Sequence, residues 1–169
     1  MKRRLFPQLA GILFLLVLGS SVISAQLSQG HLIKVEVPEV LHMEVGEGEI
    51  AFNLSTPNAG EQYPPVSYPA YYTPTSDRKY ASIKVYSNYA QDWMLMIYGQ
   101  ADFGAAPTIE WSLNGEEWYP LEAGGQMLTK GGFTSGWSEI KVYYRLVIDG
   151  SEYGGEEYKV NVFYNLTAM

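Results

Sequence analysis

The chain has 169 residues, no cysteine, and 18 acidic against 11 basic side chains, a net charge of −7. Those numbers exclude disulfides and thiolate metal sites, and an acidic surface gains nothing from phosphate backbones, so nucleic acid is not an expected partner. A hydrophobic content of 47% at this length suits one domain whose core needs no covalent staple.

The first element in chain order is a targeting segment. Lys2, Arg3 and Arg4 precede the apolar run 9–18, and the small or polar residues Gly19, Ser20, Ser21, Ser24 and Ala25 follow it. The pattern predicts a signal peptide over 1–25, cut after Ala25, because the run is well short of the ~20 apolar residues that a membrane span requires. Its removal leaves eight basic against eighteen acidic residues in 26–169, a net charge of −10. The expected location is outside the cell, associated with its surface.

The remaining chain, 26–169, reads as strand after strand. HLIKVEVP sets Ile33, Val35 and Val37 on one face, VLHMEVG sets Leu41, Met43 and Val45, and IAFNLS sets Ile50, Phe52 and Leu54. Residues 56–77 hold five prolines and four tyrosines and are expected to form a long loop. YASIKVYS follows, and then SNYAQDWMLMIYGQ, which is apolar on both faces: Trp93, Leu95 and Ile97 on one, Met94, Met96 and Tyr98 on the other. A strand central to one sheet and roofed by the 56–77 loop would bury both faces. In TIEWSLNGEEWYPL the pair Asn114-Gly115 signals a hairpin between short strands, with Trp111 facing the core. The glycine-rich stretch 123–138 is expected to be a connection carrying Phe133 and Trp137, and SEIKVYYRLVID and EYKVNVFYNLTA close the series.

Eight or nine strands without a helical period predict an all-β protein, a single two-sheet sandwich of Ig-like or jelly-roll layout. Its core should include Trp93, Leu95, Ile97, Trp111, Val142, Tyr144, Val160 and Val162. A membrane barrel fits less well, since barrel strands need ~9–11 residues and a continuous lipid-facing band.

No residue set assembles a chemistry. GFTSG at 132–136 is displaced by one from a nucleophile elbow, and His31 and His42 have no second ligand at a metal spacing. Glu116/Glu117 and Glu156/Glu157 are neighbours, which point to opposite faces of a strand and so do not flank a cleft. Asp149, Glu152, Glu156 and Glu157 lack the spacing of a calcium loop. The sequons at Asn53 and Asn165 lie on expected strands. The expectation is therefore a protein with no catalytic residue, no metal and no cofactor. Aromatic surface remains: Trp118, Trp137, Tyr71 and Tyr72 are the candidate ligand-binding residues, with cross-strand packing as the alternative role for each.

Three features together resemble WxL-type surface domains and, more loosely, spore coat U-like sandwiches. They are Val35-Glu-Val37-Pro38-Glu-Val-Leu41, the triplet Trp93-Met94-Leu95, and a closing strand with Tyr158, Val160, Val162, Tyr164, Leu166 and Thr167. Where WxL-type domains carry a second Trp-x-Leu, this chain has Tyr164-Asn165-Leu166. The resemblance implies an extracellular all-β domain that binds the cell envelope or its own kind. Together with the absent chemistry, it gives the expectation of a non-catalytic structural or adhesive protein of the cell surface. Its partner would be an envelope polymer or copies of itself through strand addition, and the alternative is a carbohydrate-binding module using loop aromatics. Residues 158–167 hold one charge, Lys159, to blunt an exposed edge, and the alternating N-terminal segment is the expected strand to add there.

Overall fold

The computed structural model describes residues 31–101, 107–152, 154 and 157–169. The segment 1–25, expected to be a signal peptide, and Glu156 lie outside them. Contacts divide the chain into two units, Met1–Glu36 and Val37–Met169. In the first, residues 31–36 are exposed and belong to no helix or strand. The described residues of the second are all β and form nine strands in two antiparallel sheets.

Strands β1 (Leu41–Val45), β2 (Ala70–Tyr72), β3 (Tyr80–Ser87), β5 (Thr108–Ser112), β6 (Tyr119–Pro120) and β8 (Ser138–Ile148) form the larger sheet. Its order is β1-β3-β8-β5-β6, with β2 beside the far half of β8. Strands β4 (Trp93–Ala101), β7 (Gln126–Gly131) and β9 (Val160–Ala168) form the smaller one, in the order β7-β4-β9. The two-sheet sandwich expected from the alternation is present. Among the described residues no helix is long and apolar enough to cross a membrane.

The alternation of β3, β4 and β8 explains the core directly. Ile83, Val85, Leu95, Ile97 and Val142 are fully buried between the sheets, joined by Trp93, Trp111, Leu128 and Tyr144. Val162 packs against this cluster half-buried, and Val160 is half-buried at the start of β9. Tyr144 of the larger sheet and Tyr164 of the smaller one share a hydroxyl-to-hydroxyl hydrogen bond across the core. Burial raises both phenols above their ordinary range, and for Tyr144 the neighbouring Tyr164 adds to the shift. Two glycines permit close packing: a Cβ at Gly131 would lie 2.4 Å from Trp93, and one at Gly99 would lie 2.4 Å from Leu121.

The structure corrects four expectations. Residues 33–37 alternate but form no strand, because among the described residues they have no pairing partner; Ile33 and Val35 are 72% and 76% exposed. Residues 50–54 bring Ile50, Phe52 and Leu54 against the core, yet the segment is irregular. Its backbone is satisfied by side chains instead of a ladder: Ala51 N donates to Ser76 Oγ at 3.1 Å and Asn53 N to Thr75 Oγ1 at 2.9 Å. The glycine-rich stretch contains β7, which pairs with β4 through a bulge between Leu95 and Met96. Finally, the Pro/Tyr-rich segment is tied to the larger sheet, where its strand β2 pairs with β8 and Tyr72 packs on Leu146 and Ile148. The outward side chains of β4, Met94, Met96 and Tyr98, are consequently half-buried on the face of a three-stranded sheet.

Candidate binding face on the larger sheet

Side-chain parity makes one face of the six-stranded sheet and gathers aromatic rings on it. Even-numbered residues of β8 point into the core, so Glu139, Lys141, Tyr143 and Arg145 point outward. Antiparallel register places Tyr80 beside Tyr143, Lys84 beside Glu139, Glu44 beside Lys84, His42 beside Tyr86 and Glu110 beside Arg145. All of these share the outward face.

At one end stands a stacked cation. The Arg145 guanidinium carbon lies 4.1 Å from the Tyr71 ring centre and 4.6 Å from that of Trp118. Its Nε donates to Glu110 Oε2 at 2.5 Å. Tyr71 reaches this position from β2, and Trp118 from the connection between β5 and β6. That connection is a six-residue loop, 113–118, not a tight hairpin. Asn114 Oδ1 accepts the backbone N–H of Glu116 and Glu117, Ser112 Oγ accepts that of Gly115, and Gly115 takes a φ of 77° that its missing Cβ permits.

Midway along β8, Lys141 Nζ sits 4.7 Å above the Tyr80 ring, and Tyr80 and Tyr143 lie 5.6 Å apart. The contact with Tyr80 raises the Lys141 ammonium, holding it charged. At the other end Trp137 packs 5.6 Å from His42 and 5.9 Å from Tyr86, with 49% of its surface exposed. The loop before it is pinned to β3, since Ser87 N donates to Thr134 Oγ1 and Thr134 N to Ser87 O, each at 2.8 Å. Phe133 and Trp137 line an open recess there. Trp137 and Arg145 are eight residues apart, ~26 Å along an extended strand.

Of the sequence-derived candidates, Tyr71 and Trp118 come together around Arg145, and Trp137 belongs to the opposite end of the same face. Tyr72 does not: its ring is 3% exposed, and its hydroxyl donates to Gln62 O at 2.7 Å. Sequence reasoning missed Arg145, Glu110, Tyr80, Lys141, Tyr143 and Tyr86. The parity of SEIKVYYRLVID signals the outward Lys141, Tyr143 and Arg145, but their cross-strand partners come from distant segments.

The paired positions of this face hold three cations, Lys84, Lys141 and Arg145, against three carboxylates, Glu44, Glu110 and Glu139. In a chain of net charge −7 this face is neutral. Elsewhere, Asp149 and Glu152 cap their own turn: Asp149 Oδ1 accepts from Ser151 N and Oγ, which lowers its carboxyl, and Glu152 accepts from the N–H groups of Asp149 and Gly150. Among the described residues no group of three or more His, Asp or Glu side chains is placed to hold a metal ion. Comparison of the chain with protein-family models, with curated proteins and with solved structures finds no match.

Proposed function

We propose that the chain is a non-catalytic protein of the cell exterior that adheres to a neutral polysaccharide through the outward face of its six-stranded sheet. The observation that carries this reading is the Tyr71–Arg145–Trp118 stack, held by Glu110 and aligned on one face with Tyr143 and Trp137. Rings on a sheet are flat, rigid and amphipathic, so they offer stacking area to the apolar faces of sugar rings at low entropic cost. The interspersed Arg, Lys and Glu groups supply donors and acceptors for hydroxyls. Their charges cancel, which favours a neutral polymer over an anionic one. The resemblance to WxL-type surface domains points to the same setting.

Retention of the purified chain on a panel of insoluble neutral glycans tests the reading. The wild-type chain should be retained on at least one of them, and Trp118→Ala and Trp137→Ala should each release it. Binding that survives both substitutions would assign the contact to another surface. No retention on any glycan would remove the reading.

A further inference from the structure

The two long seams of the sandwich are closed differently. On the β7 side, Leu128 is 5% exposed, Trp111 donates to Gln126 Oε1 at 3.1 Å, and Gly99 N donates to Glu122 O at 2.9 Å, so the sheets are bridged. On the β1–β9 side, Leu41, Met43, Val162, Tyr164 and Leu166 pack against the core but stay half-buried, and Val45 is 42% exposed. Among the described residues β1 pairs with β3 alone and β9 with β4 alone. Strand β9 also carries no charged side chain from Val160 to Ala168, although the chain has 29 of them. Exposed edges normally carry charge, proline or a bulge that discourages pairing. This one carries none of the first two, and its register with β4 is unbroken over nine residues.

The chain also contains a segment with the opposite deficit. Leu32, Ile33, Val35 and Val37 are 91%, 72%, 76% and 72% exposed and belong to no strand. Ile33, Val35 and Val37 alternate and would share one face of an added strand. We propose that residues 32–37 of one copy add as a strand to the open edge of β9 in a second copy, with Ile33, Val35 and Val37 closing the seam over Val162, Tyr164, Leu166 and the Leu41 and Met43 of β1. Lys34 and Glu36 then fall on the outer side, beside the uncharged Asn165 and Thr167, with no like-charge contact.

A second copy is the occupant we infer because Asn88 fixes the link that a fold-back would have to reverse. A fold-back requires a reversal within the three residues between Val37 and Leu41. Asn88 holds that link: its Nδ2 donates to Pro38 O at 2.8 Å, its Oδ1 accepts from Val40 N, and its own N–H donates to Val40 O at 3.1 Å. No turn occurs there. Donor segment and acceptor edge are different surfaces, so the contact is heterologous and propagates into a filament unless its rotation closes a ring.

The chain has no native cysteine, which makes crosslinking clean. A mixture of Lys34→Cys and Asn165→Cys chains, both substituted at exposed positions, should give a dimer with a short bismaleimide, and neither variant should do so alone. The wild-type chain should sediment as two or more copies with rising concentration. Ile33→Asp/Val35→Asp should be monomeric at the same concentration, and its melting temperature should match that of wild type diluted to a monomer, since both positions are exposed in the single chain. Three results would each overturn the proposal: a wild-type chain that stays monomeric at high concentration, an Asp variant that assembles like wild type, or a doubly substituted Lys34→Cys/Asn165→Cys chain that crosslinks within itself.

Discussion

Arg145→Ala is the substitution that asks most of the candidate face. Two rings flank the guanidinium at 4.1 and 4.6 Å, and each such contact at a partly exposed site is worth ~0.5–1 kcal/mol. The Glu110 ion pair is also partly solvated, with side chains 24% and 19% exposed, so it contributes about 0.5–1 kcal/mol. Together the loss is ~1.5–3 kcal/mol, or roughly 5–10 °C in melting temperature for a domain of this size. Urea unfolding monitored by tryptophan fluorescence measures it, with Glu110→Gln as the control that removes the ion pair and leaves the stack. Glu110→Gln should cost less than half as much. The two rings also lose the group that fixes their orientation, so glycan retention should fall beyond what the stability change explains. An Arg145→Ala chain within 0.5 kcal/mol of wild type would refute the reasoning, because the stack would then be an accident of surface packing.

Leu95→Ala removes a fully buried side chain from the middle of β4 and should cost ~2–5 kcal/mol in the same assay. Gly131→Ala places a methyl group 2.4 Å from the Trp93 ring, so it should destabilise by ~1–3 kcal/mol and shift the near-ultraviolet dichroism of that tryptophan. The raised phenols of Tyr144 and Tyr164 set an alkaline limit. Above pH ~10 the unfolded tyrosines lose protons that the folded pair keeps, so the folded state binds more protons and stability falls as pH rises. Tyr144→Phe should remove about 1.4 kcal/mol of that fall in total between pH 9 and 11, measured as urea midpoints. It should also cost ~1–3 kcal/mol at pH 7 by leaving the Tyr164 hydroxyl without its partner.

Strands β3, β5 and β8 were legible in the sequence because each has a two-residue period that reports which side chains meet the core, and β4 because its apolar run 93–98 is bounded by polar residues. Pairing is a separate matter. Ile33, Val35 and Val37 alternate as well as any strand, yet among the described residues no partner ladder reaches them. Ile50, Phe52 and Leu54 do reach the core, but Thr75 and Ser76 side chains take the hydrogen bonds a neighbouring strand would have taken. Alternation therefore locates apolar contact, and hydrogen-bond supply decides whether a ladder forms. The same distinction explains β2 and β7. Each lies in a stretch rich in proline or glycine, and each is an edge segment that pairs on one side, where those residues are tolerated.

The candidate face shows where sequence reading stops. Surface rings can be suspected from loop aromatics, and that rule finds the exposed Tyr71 and Trp137 and the half-buried Trp118. Tyr72 was found by the same rule and is buried, because adjacent residues of a strand face opposite ways and only the pairing of Ala70–Tyr72 with β8 decides which way each faces. The residue that organises the site, Arg145, has no local mark beyond its parity in β8. Its partners come from positions 71, 110 and 118, and β8 meets them because β2 and β5 pair with its far half from opposite sides. Such a cluster is a property of strand order, which periodicity does not encode. The same strand order governs any transfer of this candidate face to another protein. Moving the aromatic rings to a related sandwich would fail unless the Glu110–Arg145 register moved with them.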